Sequence, residues 1–245
     1  MKKVNKKIII SIFVFLIILL LSISIIIVNN AVNKTNFEID KNKIYHEIAY
    51  FDSQIIYMMT MLNNIDRNEN FYIDWKELQK QNQILYNYWN SVILDLNYSE
   101  IDKNNLTDFS NSLDELNISI KNNDKEMTLQ NLLDLYNKLI IYSETINNVT
   151  YNLLLDTKYN LLIAYSIAEK GNWTLTYEHI LKASENMSNM VKQIDNNQYN
   201  QYNINQAYIS VKELENIINI KDTNIFYMKY KIAMNNIKKI KTGEL

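Results

Sequence analysis

The chain has 245 residues, 47% hydrophobic and 21% charged, with no proline, no cysteine and two glycines, Gly171 and Gly243. Without proline and nearly without glycine it lacks the chemistry of tight turns and bulges, which argues against a β-sandwich or barrel and for an all-α fold. The absence of cysteine excludes disulfides, thiol catalysis and a lipidated cysteine anchor.

Residues 8–28 carry no charge and no polar side chain beyond Ser11, Ser22 and Ser24. As a helix they span roughly 31 Å, close to the hydrocarbon thickness of a bilayer. Lys2, Lys3, Lys6 and Lys7 precede them. The positive-inside bias therefore predicts a cytoplasmic tail (1–7), an uncleaved single-pass anchor (8–28) and an extracytoplasmic remainder in the cell membrane. Of 25 basic and 27 acidic residues, setting aside the four anchor lysines leaves 21 against 27, a net of −6. That balance disfavours nucleic acid and anionic headgroups as partners.

After a juxtamembrane step, Ile44, Ile48, Phe51, Ile55, Met58, Leu62 and Ile65 alternate by four and three, the apolar stripe of a helix that packs on another. This helix completes a region at 29–74. Leu78, Leu85, Trp89, Val92 and Leu96 mark a second helix, and Leu106, Phe109, Leu113, Leu116 and Ile120 a third. Asp124 is a plausible N-cap for a fourth, read through Met127, Leu132, Tyr136, Leu139 and Ile146. Between Lys125 and Lys170 only Asn147-Asn148 offers a break, which leaves open one long rod or two helices. Gly171-Asn172 gives a clear stop.

Trp75 and Trp173 stand 98 residues apart, and the same shift carries the following pattern across without a gap. Leu106, Phe109, Leu113, Leu116 and Ile120 fall on Ile204, Ala207, Val211, Leu214 and Ile218, and Asp124 falls on Asp222. The expectation is an internal duplication: a helical unit at 75–146, a connecting helix at 147–172 and a second unit at 173–242. The first heptad helix shifts partly onto residues 142–163, with Ile48 on Ile146 and Ile55 on Leu153. The two tryptophans, opening equivalent helices, are expected to plug the bundles.

Gly171-Asn172-Trp173 followed by an amphipathic helix, then Val211-x-Glu213-Leu214-x(3)-Ile218-x(3)-Asp222 and a last apolar helix, resembles a family of small N-terminally anchored, all-helical proteins of low-GC Gram-positive bacteria, themselves uncharacterised. The resemblance covers each half once and implies a doubled version. It implies architecture and location, and brings no activity or site.

Chemistry is sparse. Residues 66–77 resemble an EF-hand loop, with Asp66, Asn68, Asn70, Asp74 and Glu77 at positions suited to Ca²⁺. Phe71 replaces the glycine of the sharp turn, which makes an ordinary Asn-rich connector the better reading. His46 and His179 fit no zinc or di-iron spacing and read as surface residues. No phosphate-cradling glycine loop and no local nucleophile signature is present, so the expectation is a non-enzymatic protein without a cofactor. The function expected first is an envelope scaffold with a protein partner. The alternative is a ligand-sensing or solute-binding module signalling through a membrane partner, and calcium binding is a minor variant.

Overall fold

The computed structural model describes residues 41–63, 71–97, 102–193 and 198–240, which are helix and turn with no strand among the described residues. The stretch read as a membrane anchor, 8–28, lies outside them. Among the described residues no helix is long and apolar enough to cross a membrane.

Among the described residues eight α-helices follow in chain order: α1 Lys41–Leu62, α2 Trp75–Asn97, α3 Lys103–Lys121, α4 Lys125–Ser143, α5 Val149–Ala168, α6 Trp173–Gln193, α7 Gln198–Ile217 and α8 Thr223–Ile237. The starts of α2 to α6 and of α8 are set by side chains that accept from otherwise orphaned N–H groups. Asp74 takes the N–H of Glu77, Asp102 that of Asn104, Asp124 that of Met127, Asn148 that of Tyr151, Asn172 that of Leu175 and Asp222 that of Ile225. Asn123, Asn147, Gly171 and Lys221 turn the chain between helices with positive φ.

The stretch 125–170 is two helices. A 3₁₀ turn at Glu144–Ile146 and left-handed Asn147 (φ 57°) end the first, and the Asn148 cap starts the second. This turn interrupts residues 142–163, onto which the first heptad helix shifts in part. Helix α5, expected as a connector, is covered by α4, α6 and α8. Its buried residues, among them Leu154, Leu155, Leu161, Leu162, Ala164 and Tyr165, accordingly wrap most of its circumference.

Helix α1 packs on α2 and α4, α2 on α3, and α3 on α4; α5 packs on α6 and α8, α6 on α7, and α7 on α8. The predicted stripes supply the core: Ile44 through Leu62 on α1, Leu78, Leu85, Trp89 and Val92 on α2, and all five positions on α3 are buried. Trp89 lies against Phe109 in a tilted pair (centroids 4.3 Å apart) and donates its ring N–H to Ser110 Oγ at 2.8 Å, which satisfies its one polar atom. Trp75 and Trp173, expected as plugs, are only half-buried, because each stands in the first turn of its helix at the edge of the packing. Met127, read as part of the fourth stripe, is exposed on the capped first turn of α4.

Candidate functional site

Residue types on the apolar faces of α1 and α5 build the main site. Asp52 sits between Ile48 and Ile55 on α1, and Lys158 between Leu154 and Leu162 on α5; all four apolar neighbours are buried. The helices bring the two charges together, with Lys158 Nζ 2.6 Å from Asp52 Oδ2 and both side chains about nine-tenths covered. Tyr136, from α4, donates its hydroxyl to Asp52 Oδ1 at 2.5 Å. Burial and the neighbouring Asp52 carboxylate hold the Tyr136 phenol well above its usual range, so it remains a donor at any physiological pH.

One heptad earlier on each helix, Tyr45 lies against Tyr151, with ring centroids 4.7 Å apart. Two contacts seven residues apart on each helix mean that α1 and α5 run in the same direction along this edge. Tyr151 is placed by the turn before it, since its N–H is held by the Asn148 side chain at 3.0 Å.

Between α1, α5 and α8 lies a cleft of about 710 Å³. From Tyr45 to Asn63 it follows α1 for roughly 27 Å at the helical rise. Its walls are apolar and aromatic for most of that length, including Met59, Leu162, Tyr165 and Ile237. Its polar lining is the Asp52–Lys158 pair, Ser53 and Thr60 on α1, Asn63 just after it, Tyr151 on α5, Lys231 and Asn235 on α8, and Lys238 just after it. Two of them lack partners. The Tyr151 hydroxyl and the Asn63 side-chain carbonyl are buried with no hydrogen bond, in residues 3% and 4% exposed. A buried polar atom left unmade costs about 1–3 kcal/mol, and burial pushes the Tyr151 phenol far above its ordinary value. The volume and the largely apolar and aromatic walls are those of small-molecule sites, whose volumes run about 300–1,000 Å³.

A second, more open pocket of about 450 Å³ lies on the other side of α5, against α6. Its polar groups satisfy one another. Asp156 accepts from Asn160 and Asn186, and the Asn160 carbonyl lies 2.9 Å from His179 Nδ1. Because Asn160 donates through its amide nitrogen, its oxygen faces the imidazole, and Nδ1 of His179 is the donor. Burial, followed by the nearby Lys182, lowers the His179 pKa. His179 is thus half-buried and bonded rather than a plain surface residue; His46 is exposed.

Of the calcium-loop residues, Asp66, Asn68 and Asn70 lie outside the described residues. Asp74 and Glu77 are placed in the first turn of α2. Asp74 caps the helix, and the Glu77 carboxylate takes a bond from Gln81 Nε2 at 2.6 Å and pairs with Lys80. No group of three or more metal-ligating side chains occurs among the described residues.

Asp52, Lys158, Tyr136 and Tyr151 escape a search for motifs, because no two of them are neighbours in sequence. The available signal was chemical: a lone acid and a lone base, each inside an otherwise apolar stripe, which is costly unless they meet. Protein-family models, curated proteins and solved structures contain no match to this chain.

Proposed function

We propose that the protein is a single-pass, extracytoplasmic helical module that binds a small molecule in the cleft between α1, α5 and α8. The observation that carries this reading is the elongated, largely apolar cleft, which carries a buried ion pair partway along it and holds two buried, unpartnered polar atoms. A ligand offering partners to Tyr151 and Asn63 would remove their desolvation cost. Lacking a local nucleophile or metal signature in its sequence, the module is read as a binder, with any output passing through a partner in the membrane.

The scaffold is read as a duplicated pair of four-helix units, α1–α4 and α5–α8. Support comes from features 98 residues apart that share a role: the caps Asp74 and Asn172, the left-handed Asn123 and Lys221, and the caps Asp124 and Asp222. The cleft lies where the first helix of one unit meets the first and last helices of the other, which is why each chain would carry one.

Native mass spectrometry of the full chain released from its membrane tests the reading. A co-purifying small molecule is expected, and Ala49→Phe, which fills the cleft wall, should displace it. A bare chain together with a recurrent crosslinked protein neighbour would instead favour the envelope scaffold.

A further inference from the structure

We propose that the ligand of this cleft is a single-chain amphiphile with an anionic head, seated with its head on Lys158 and Tyr151 and its chain along α1 toward Asn63. The inference rests on the reading of the cleft as a binding site and names the chemistry that fits it.

Length and lining set the body of the ligand. From the Asp52 level to Asn63 the channel runs roughly 17 Å at the helical rise, and its walls of Met59, Leu162, Tyr165, Met234 and Ile237 suit an extended apolar chain better than a compact ring system. Charge sets the head. Both oxygens of Asp52 are already engaged, one by the Tyr136 hydroxyl and one by Lys158. Lysine has three N–H donors and Lys158 uses one of them on Asp52, which leaves donor capacity at the cleft. The Tyr151 hydroxyl adds a second, unengaged donor one heptad away on α5. Lys238, just past the end of α8, lines the same cleft and adds a further cation. These cations stand on a domain whose net charge is negative. Donors and cations around an apolar channel match a carboxylate or similar anion on an acyl chain.

Photo-crosslinking in membranes bearing the full chain tests this. The probes are diazirine-bearing dodecanoate, dodecylamine and dodecanol, with adducts mapped by peptide mass spectrometry. Dodecanoate is expected to label Met59, Leu162 or Met234 about tenfold or more above the other two, the discrimination of a charge-assisted hydrogen bond. Tyr151→Phe should reduce that labelling severalfold while leaving the melting temperature intact, because its hydroxyl makes no internal bond. Lys238→Glu should reduce it again, whereas Lys182→Glu, at the second pocket, should not. Equal or stronger cleft labelling by dodecylamine or dodecanol overturns the anionic class and leaves the binding reading standing. Capture of a bilayer phospholipid in the cleft in place of dodecanoate overturns the single-chain assignment. No adduct in the cleft from any probe overturns the inference, and if native mass spectrometry also finds the chain bare, the binding reading falls with it.

Discussion

Lys158 and Asp52 lie 106 residues apart in the chain and 2.6 Å apart in space, joining α5 to α1 across the edge of the cleft. Tyr45 and Tyr151 stand at the same separation one heptad earlier, so the pair is one rung of a parallel register between two helices. Buried ion pairs contribute little net stability against a well-packed apolar pair, but leaving one charge alone is costly. Asp52→Ala should therefore lose about 3–5 kcal/mol, whereas Asp52→Leu with Lys158→Met and Tyr136→Phe, which removes the Tyr136 hydroxyl that Asp52 accepts from, should retain most of it. Urea unfolding followed by circular dichroism checks both; equal losses in the two variants would refute the account.

Tyr136 and Tyr151 make a matched comparison. Tyr136 donates to the ionised Asp52, and its phenylalanine variant should cost about 1.5–3 kcal/mol, the range for hydrogen bonds to charged groups. The buried hydroxyl of Tyr151 has no partner, so Tyr151→Phe should be neutral or stabilising by up to about 1 kcal/mol. Thermal melts of the ligand-free protein decide, and the reverse order would mean that the Tyr151 hydroxyl bonds internally.

Backbone conformation gives a third prediction. Gly171 has φ +72° with open space where a Cβ would point, so Gly171→Ala is penalised by backbone strain alone, about 1–2 kcal/mol. Lys221 holds φ 54° with a side chain, and Lys221→Gly should gain up to about 1 kcal/mol. Opposite signs in equilibrium unfolding are the expected result.

Protonation of His179 is disfavoured in the fold, first by burial and then by Lys182. A histidine whose folded pKa lies below its unfolded value stabilises the fold fully above the unfolded value, near pH 6.5. That contribution is lost as pH falls below it toward the depressed folded value. Melting temperatures should thus drop between pH 7.5 and pH 5.5, and the drop should be smaller in His179→Gln. An unchanged slope in the variant would show that other groups carry the pH dependence.

Local interactions were legible in the sequence because they repeat every three or four residues. The stripes of α1, α2 and α3, the cap at Asp124 and the stop at Gly171 all depend on near neighbours, and the structure places them as read except for Ile65 and the Leu96 side chain, which lie outside what it describes. Asn147-Asn148 was visible as a candidate break, but whether a chain turns there depends on what a following helix gains by packing. For α5 that gain comes from α4, α6 and α8. The half-burial of Trp75 and Trp173 likewise follows from where the first turn of a helix meets its neighbours, which periodicity does not encode.

The site belongs entirely to the tertiary level. Asp52 and Lys158 each appear in the sequence as a charge misplaced within an apolar stripe, and Tyr151 as one tyrosine among eighteen. Only the parallel approach of α1 and α5 makes the two charges a pair, and only the gap those helices leave beside α8 makes a cleft. By itself the sequence determined a chain of amphipathic helices behind an apolar N-terminal stretch, since both properties are sums over neighbouring residues. Which helix faces lie side by side, and where they fail to meet, is decided by packing between residues a hundred positions apart.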